Sequence, residues 1–424
     1  MSTMNDVAWG DLFKESNILS DIHDNGIAYV TADHMKKYRE PRLMAKIDTR
    51  ELLPGVFKSH KLSILPIKNG EYAIFRDPMK HSFFTFPDDF DQIKIVQHYP
   101  SIDLENFDSF NSLENLNESQ ALDLALMSSI IKGFTNEEKL WLTIRGRQFT
   151  RDFKVRIPSI NRYINVSRVQ IEIDAGYESE NAIYIFEAKI GKRENFNIRQ
   201  LLFPYLEWKN RTSKPVIPIF LFFTNGFYYL FQFDLKNSLG ASRVVKRACF
   251  TLSTIKPIDI CKIMRNATLD SSLVEEIPFP QANDLDKVID TVSVVNQGFL
   301  DKASIAEIFE FDERQGDYYA NAARYLGFLQ RKNNEFFLTN EGKRLLEYNN
   351  PSQRANYIVE QLAKRPAFNQ VFQKLLDSNL DFDLVETFNI PQIIENATNL
   401  KGSTPKRRAS TVRQWLRWIS KYAA

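Results

Sequence analysis

Between Gln170 and Lys189 the chain sets charge into a strand pair that is otherwise apolar. Residues 168–174 alternate, with Val169, Ile171 and Ile173 on one face and Gln170, Glu172 and Asp174 on the other. That is the period of a half-buried strand. A short polar turn follows, and then Ala182, Ile183, Tyr184, Ile185 and Phe186 are apolar on both faces, as in a strand covered from both sides. The row of Ile183 and Ile185 continues into Glu187 and Lys189, which fall on the same side because side chains alternate along a strand. An acid ending the first strand and an acid with an ammonium ending the second are costly in a desolvated place unless paired or bound to metal.

Asp174 and Glu187 offer hard oxygen ligands, which suit magnesium, with manganese as a substitute, and suit zinc poorly. Such a cation would lower the pKa of a bound water and neutralise charge on a transferring phosphoryl group. Lys189 would orient the attacking water or stabilise the developing charge. The bland alternative is a surface pair of Glu187 and Lys189 at a strand edge, where such pairs contribute little.

The residues Asp174 and Glu187-Ala188-Lys189 resemble the active-site motif of the PD-(D/E)XK nuclease superfamily, with Ile173 in place of the proline. The resemblance implies an α/β (α+β) core, a mixed central sheet flanked by helices in which a helix, strands bearing acids, a further helix and a strand follow in order. The elements read from the residues fit that order. Asn117 is a plausible N-cap for a helix to about Lys132, residues 195–210 suit a second helix, residues 216–223 suit a buried strand, and residues 228–233 suit its neighbour. Asn195 to Tyr205 also looks like the helix after the active-site strand in a group of type II restriction endonucleases. There Gln200 would be catalytic and position the water; Tyr205 is one residue further away than in the related Q-x-x-x-Y motif, a difference that a kink at Pro204 would absorb. Arg199 lies in the same stretch. Glu118 is either an additional acid near the metal or an ordinary first-turn acid that favours the helix dipole.

A chain of 424 residues with 43% hydrophobic content is expected to form several domains. Its net charge of +2 means that a nucleic acid must be met by local basic patches. Cys249 and Cys261 are too few for a disulfide framework, the five histidines all lie before residue 100, and no secretory leader or transmembrane run is evident, so a cytoplasmic protein without membrane contact is expected. The expected divisions are an amino-terminal α+β domain (1–100), the nuclease core (101–275), a winged helix-turn-helix (281–350) and a basic helical extension (351–424). The acid-rich stretch from Phe86 to Glu118, including Asp103 to Asp108, reads as a solvated connection, and the prolines after Glu275-Glu276 mark a second break.

In the third division, helices at 284–296, 301–309 and 313–329 precede a hairpin through Phe336 and a helix capped by Thr339. The helix at 313–329 carries Tyr319, Ala322, Ala323 and Leu326 on one face and Arg314, Asp317, Tyr318, Asn321 and Arg324 on the other. Arg314, Tyr318, Asn321 and Arg324 are the DNA-contacting candidates, the competing reading being a solvated helix in a protein-contact module. Near the carboxyl end, Arg407 and Arg408 belong to a basic run interleaved with Trp415 and Trp418, with Thr411, Gln414, Trp415, Trp418 and Ile419 expected on one helix side. That run suits either a phosphate-tracking surface or a solvated cationic helix. The amino-terminal stretch Arg39 to Asp48 carries clustered basic groups and looks similar to the start of the same restriction enzymes.

Taken with the resemblance, these features imply a magnesium-dependent type II restriction endonuclease acting on double-stranded DNA. A homodimer is expected, since two-fold symmetry matches a palindromic site, along with a cognate DNA methyltransferase in the same system. The competing expectations are a DNA repair or recombination nuclease and a non-catalytic winged-helix DNA-binding regulator.

Overall fold

A computed structural model describes residues 3–87, 93–100, 107, 116–270 and 277–423. Most of the acid-rich connection, including Asp103 to Asn106 and Asp108, lies outside the described residues, as do Glu275 and Glu276. The fold is mixed α/β. Two compact units form, one from Met1–Val96, Asn117–Phe222 and Tyr228–Cys249, the other from Gln97–Leu116, Phe223–Phe227 and Phe250–Ala424. Residues 1–96 therefore share a unit with the strands that carry Asp174 and Glu187.

The first unit opens with α1 (Met4–Glu15), α2 (Ile18–Asn25), β1 (Ile27–Thr31), α3 (Ala32–Met35), α4 (Pro41–Ala45), α5 (Gly55–His60), β2 (Leu62–Lys68) and β3 (Glu71–Arg76). The three strands form an antiparallel sheet in the order β1-β3-β2. Its helices cover it with an apolar cluster in which Trp9, Phe13 and Phe57 meet edge-on at centroid separations of 4.8 to 6.1 Å. Such edge-on ring packing adds to the stabilisation from burial.

Next come β4 (Phe83–Thr85), β5 (Ile95–Gln97), α6 (Glu118–Met127), α7 (Ile130–Thr135), β6 (Trp141–Phe149), β7 (Phe153–Ile157), β8 (Arg162–Val166), β9 (Gln170–Glu178), β10 (Ile183–Ile190), β11 (Asn195–Asn197), α8 (Arg199–Lys209), β12 (Val216–Thr224), β13 (Phe227–Leu235) and β14 (Ser242–Thr251). Seven of these strands make one sheet in the order β5-β14-β13-β12-β10-β9-β6. The central strands β10 and β12 are almost wholly buried, as their two-sided apolar sequences require. Phe86, Phe196, Phe220, Phe222, Phe231 and Phe233 pack over one face of it.

Three elements of the first unit differ from the sequence reading, and in the second the helix read at 313–329 ends at Tyr325, with Leu329 already in a strand. The helix from Asn117 begins with a reciprocal cap, Asn117 accepting from the Gln120 amide and Gln120 from that of Asn117. It then breaks at Ser129, whose φ of 66° is left-handed and incompatible with continuing the helix. Residues 195–197 are a short strand paired with β4, so the helix starts only at Arg199. Finally, Asp174 lies within β9 and not at its end, because residues 175–178 pair antiparallel with 183–186. Gly176 is required there: a Cβ would lie 2.7 Å from the Cβ of Ile144 on β6, where the register shifts.

The second unit contains α9 (Ile260–Asn266), α10 (Leu285–Asn296), α11 (Lys302–Phe309), α12 (Glu313–Tyr325), β15 (Leu329–Lys332), β16 (Glu335–Leu338), α13 (Asn340–Glu347), α14 (Pro351–Ala363), α15 (Pro366–Asp377), α16 (Ile390–Ala397) and α17 (Thr404–Ser420). Asp284, Asp301, Asp312 and Thr339 cap α10, α11, α12 and α13 through their side chains. Helices α11 and α12 approach closely at Gly316, where a Cβ would fall 2.3 Å from the Lys302 carbonyl oxygen. Trp415 and Trp418 of α17 are buried and donate their indole N–H groups to the Ala282 carbonyl at 2.8 Å and to Asp286 at 2.7 Å. The apolar side expected of α17 is buried except at Gln414, which is exposed. Among the described residues, no helix is long and apolar enough to cross a membrane.

Candidate active site

Antiparallel register pairs Phe186 with Ala175, so the next positions along the two strands are Glu187 and Asp174. Glu187 is buried because β10 is central to the sheet, and Lys189 shares its face at 8% exposure. The Lys189 ammonium lies 2.8 Å from Glu187 Oε1 and 3.4 Å from Glu118 Oε1. Asp174 Oδ2 accepts the Ala188 amide at 2.7 Å, which ties the first acid to the backbone between Glu187 and Lys189. Arg145, itself paired with Asp123, donates to the Asp174 carbonyl at 3.0 Å.

Electrostatics follow from this crowding. Burial pushes the Glu187 carboxyl well above the usual range; Lys189 opposes that, and Asp174 and Glu118 reinforce it. The Asp174 carboxyl is also raised, by burial first, against the pull of Lys189 and of the Ala188 amide. A site that holds two acids above their ordinary range favours a cation able to replace protons.

Gln200, in the first turn of α8, donates its amide to Glu187 Oε1 at 2.9 Å, while its own carbonyl oxygen is buried without a hydrogen-bond partner among the described residues. That orphaned acceptor and the two carboxylates form a hard-oxygen donor set, which fits a divalent cation completed by waters. Among the described residues there is no group of three or more histidine, cysteine, aspartate or glutamate side chains arranged to hold a metal. Glu118, read as either a further acid or a dipole-stabilising one, reaches Lys189 and belongs to the site. Tyr205 is not brought there: its hydroxyl accepts from Lys209 at 3.2 Å.

A cleft of about 650 Å³ opens over these groups. One wall carries Asp174, Glu187, Lys189 and Gln200; the other is built from the amino-terminal segment, including Arg42, Lys46, Lys68 and Tyr72. Two asparagines of β11 set that wall in place. Asn197 donates its side-chain amide to the Ile47 carbonyl at 2.9 Å and its backbone N–H to the Asp48 carbonyl at 2.7 Å. Asn195 accepts the Arg50 amide at 2.8 Å and donates to Glu51 at 2.9 Å, and Arg199 pairs with Asp48 at 3.1 Å. The sequence reading missed this wall; the clustered basic groups of Arg39 to Asp48 were its only local signal.

The second unit places the other candidates unevenly. Arg314 is exposed at the start of α12 and Tyr318 is half-buried. Asn321 is buried and accepts from Arg324 at 2.8 Å, so these two side chains are turned toward each other. Arg407 is exposed on α17, whereas Arg408 is half-buried and its Nε lacks a hydrogen-bond partner among the described residues. Burial, then Arg407, holds the Arg408 guanidinium below its ordinary range, and nearby Tyr318 acts in the opposite direction.

Three family models match the chain, each described as a domain of unknown function: DUF6996 over residues 6–74, DUF6997 over residues 80–251 and DUF7226 over residues 287–424. No curated protein and no solved structure matches it.

Proposed function

We propose that this chain is a magnesium-dependent type II restriction endonuclease of the PD-(D/E)XK kind, hydrolysing phosphodiester bonds of double-stranded DNA at a specific site. The observation that carries the reading is the convergence of Asp174, Glu187 and Lys189 on adjacent antiparallel strands at the floor of a cleft, followed after the short β11 by a helix whose Gln200 reaches Glu187. Asp174 and Glu187 would hold magnesium or manganese, which when bound supplies charge neutralisation and an acidified water. Glu187 is oriented by two donors at once, Lys189 and Gln200, and the Ala188 amide fixes Asp174. The Lys189 ammonium, buried beside both acids, is positioned to orient a water and to offset negative charge at the phosphorus.

In this reading the seven-stranded sheet and its flanking helices are the nuclease core, and the helices α10, α11 and α12 with the hairpin β15–β16 are a winged helix contacting DNA through Arg314 and Tyr318, assisted by Arg407 and Arg408. A two-fold dimer would place one such site on each strand of a palindrome. A cognate methyltransferase would protect the host's own copies of that sequence.

Incubating the purified chain with a sequenced plasmid and magnesium tests the reading. Discrete fragments with a common end sequence, absent for Lys189→Ala and Asp174→Asn, are expected. DNA left intact across magnesium, manganese and calcium would end the proposal; trimming from ends without sequence preference would move it to repair.

A further inference from the structure

We propose that the amino-terminal segment is the second wall of a DNA groove, with Arg42 and Lys46 holding the phosphodiester backbone of the strand that lies over Asp174 and Glu187. The substrate class rests on the nuclease reading; the wall itself rests on separate observations. Arg42 and Lys46 are four residues apart at α4 and line the same cleft as the two acids. That spacing puts both on one face of a helical turn.

They differ from the other cations of the cleft in being free. Lys189 is paired with Glu187, Arg199 with Asp48, Arg147 with Glu172 at 3.2 Å and Lys68 with Glu71 at 2.9 Å. Arg42 and Lys46 are exposed and form no ion pair among the described residues. A polyanion drawn toward an acid pair meets repulsion that unpaired cations across the groove offset. The bonds of Asn195 and Asn197 to residues 47–51 hold this wall to the element following the catalytic strand, so its spacing from the acids is built in.

The experiment uses the full chain carrying Lys189→Met and follows the anisotropy of a fluorescein-labelled plasmid fragment in calcium, across a salt series. Adding Arg42→Gln and Lys46→Gln is expected to raise Kd about tenfold and to reduce the steepness of log K against log salt by roughly two, since each lost phosphate contact removes about 0.9. Arg42→Lys with Lys46→Arg keeps the charges and is expected to bind like the parent. Lys36→Gln with Lys154→Gln removes the same charge outside the cleft and is expected to leave Kd and slope in place. The proposal is overturned if the glutamine pair binds with unchanged Kd and slope, if the charge-keeping pair loses as much, if the off-cleft pair does, or if no form binds DNA.

Cleavage by the protein with Lys189 intact is scored separately. Binding that depends on Arg42 and Lys46 without any cleavage would remove the nuclease reading and keep the groove. Cleavage together with binding indifferent to both residues would do the reverse.

Discussion

Gln200 Nε2 and Lys189 Nζ converge on the same atom, Glu187 Oε1, at 2.9 and 2.8 Å. Two donors on one oxygen fix the rotation of a buried carboxylate, and the Gln200 side-chain carbonyl oxygen is buried without a hydrogen-bond partner among the described residues. Groups that orient metal-holding carboxylates tune them as strongly as changes in the ligands' own surroundings do.

Gln200→Leu removes that orientation and replaces the orphaned oxygen with apolar volume. Cleavage at saturating magnesium is expected to slow by about 10- to 100-fold, with manganese affinity reduced over a similar range. Single-turnover rates and calorimetric titration check the two effects; a rate equal to the parent's would remove Gln200 from the site.

On the proposed reading, proton and cation would compete for the same acids. Because burial raises Glu187 and Asp174, a proton-bound fraction persists above the ordinary carboxylate range, and cation binding must displace it. Manganese affinity is therefore expected to keep tightening as pH rises above the ordinary carboxylate range, and without cation the raised carboxyls make stability fall as pH climbs through their folded values. Thermal melts with and without manganese read both trends. Glu187→Gln is expected to flatten the cation-free trend and to abolish the stabilisation by manganese.

A separate half-buried acid in the second unit titrates the same way. Asp290 accepts from Thr224 at 2.9 Å, and burial, reinforced by Asp286, pushes its carboxyl up to about 8. Its folded value exceeds its unfolded one, so the folded chain binds the extra proton and stability declines from about pH 4 to about pH 8. Asp290→Asn is expected to raise the melting temperature near the upper limit and to make the profile flatter there. An unchanged profile would show that Asp290 ionises freely.

At Gly176 even a methyl group collides with backbone-anchored atoms, the nearest being 2.7 Å away on Ile144. Gly176→Ala is expected to destabilise the protein by about 1–3 kcal/mol, as overpacking does. Cleavage should fall too, since Asp174 sits on the same strand. Denaturant unfolding monitored at the tryptophans measures the first effect, and a loss below a few tenths of that range would mean β6 can shift.

The strand pair was legible because each signal there is local: alternation through Ile173, a two-sided apolar run to Phe186, and a charge switch at Glu187. Helix starts were legible for the same reason, since Asn117, Asp284, Asp301 and Thr339 cap from within the next turn. The end of β9 was not, because Ala175 and Gly176 have weak strand preference and are recruited by pairing with β10. The second wall of the cleft depends on bonds such as Asn197 to Ile47, 150 residues apart in sequence, for which no window of neighbouring residues carries a signal. Asn321 turned inward to meet Arg324, a side-chain pairing that helical periodicity alone does not specify.

Asn195 and Asn197 also bear on how the chain can be divided. A fragment beginning near residue 80 keeps both acids and the lysine, yet it strips two asparagine amides of their acceptors and opens the acid floor to bulk water on one side. The cleft and its scaffold thus draw on residues from both sides of residue 80, and exchanging the first segment would rebuild one of its walls.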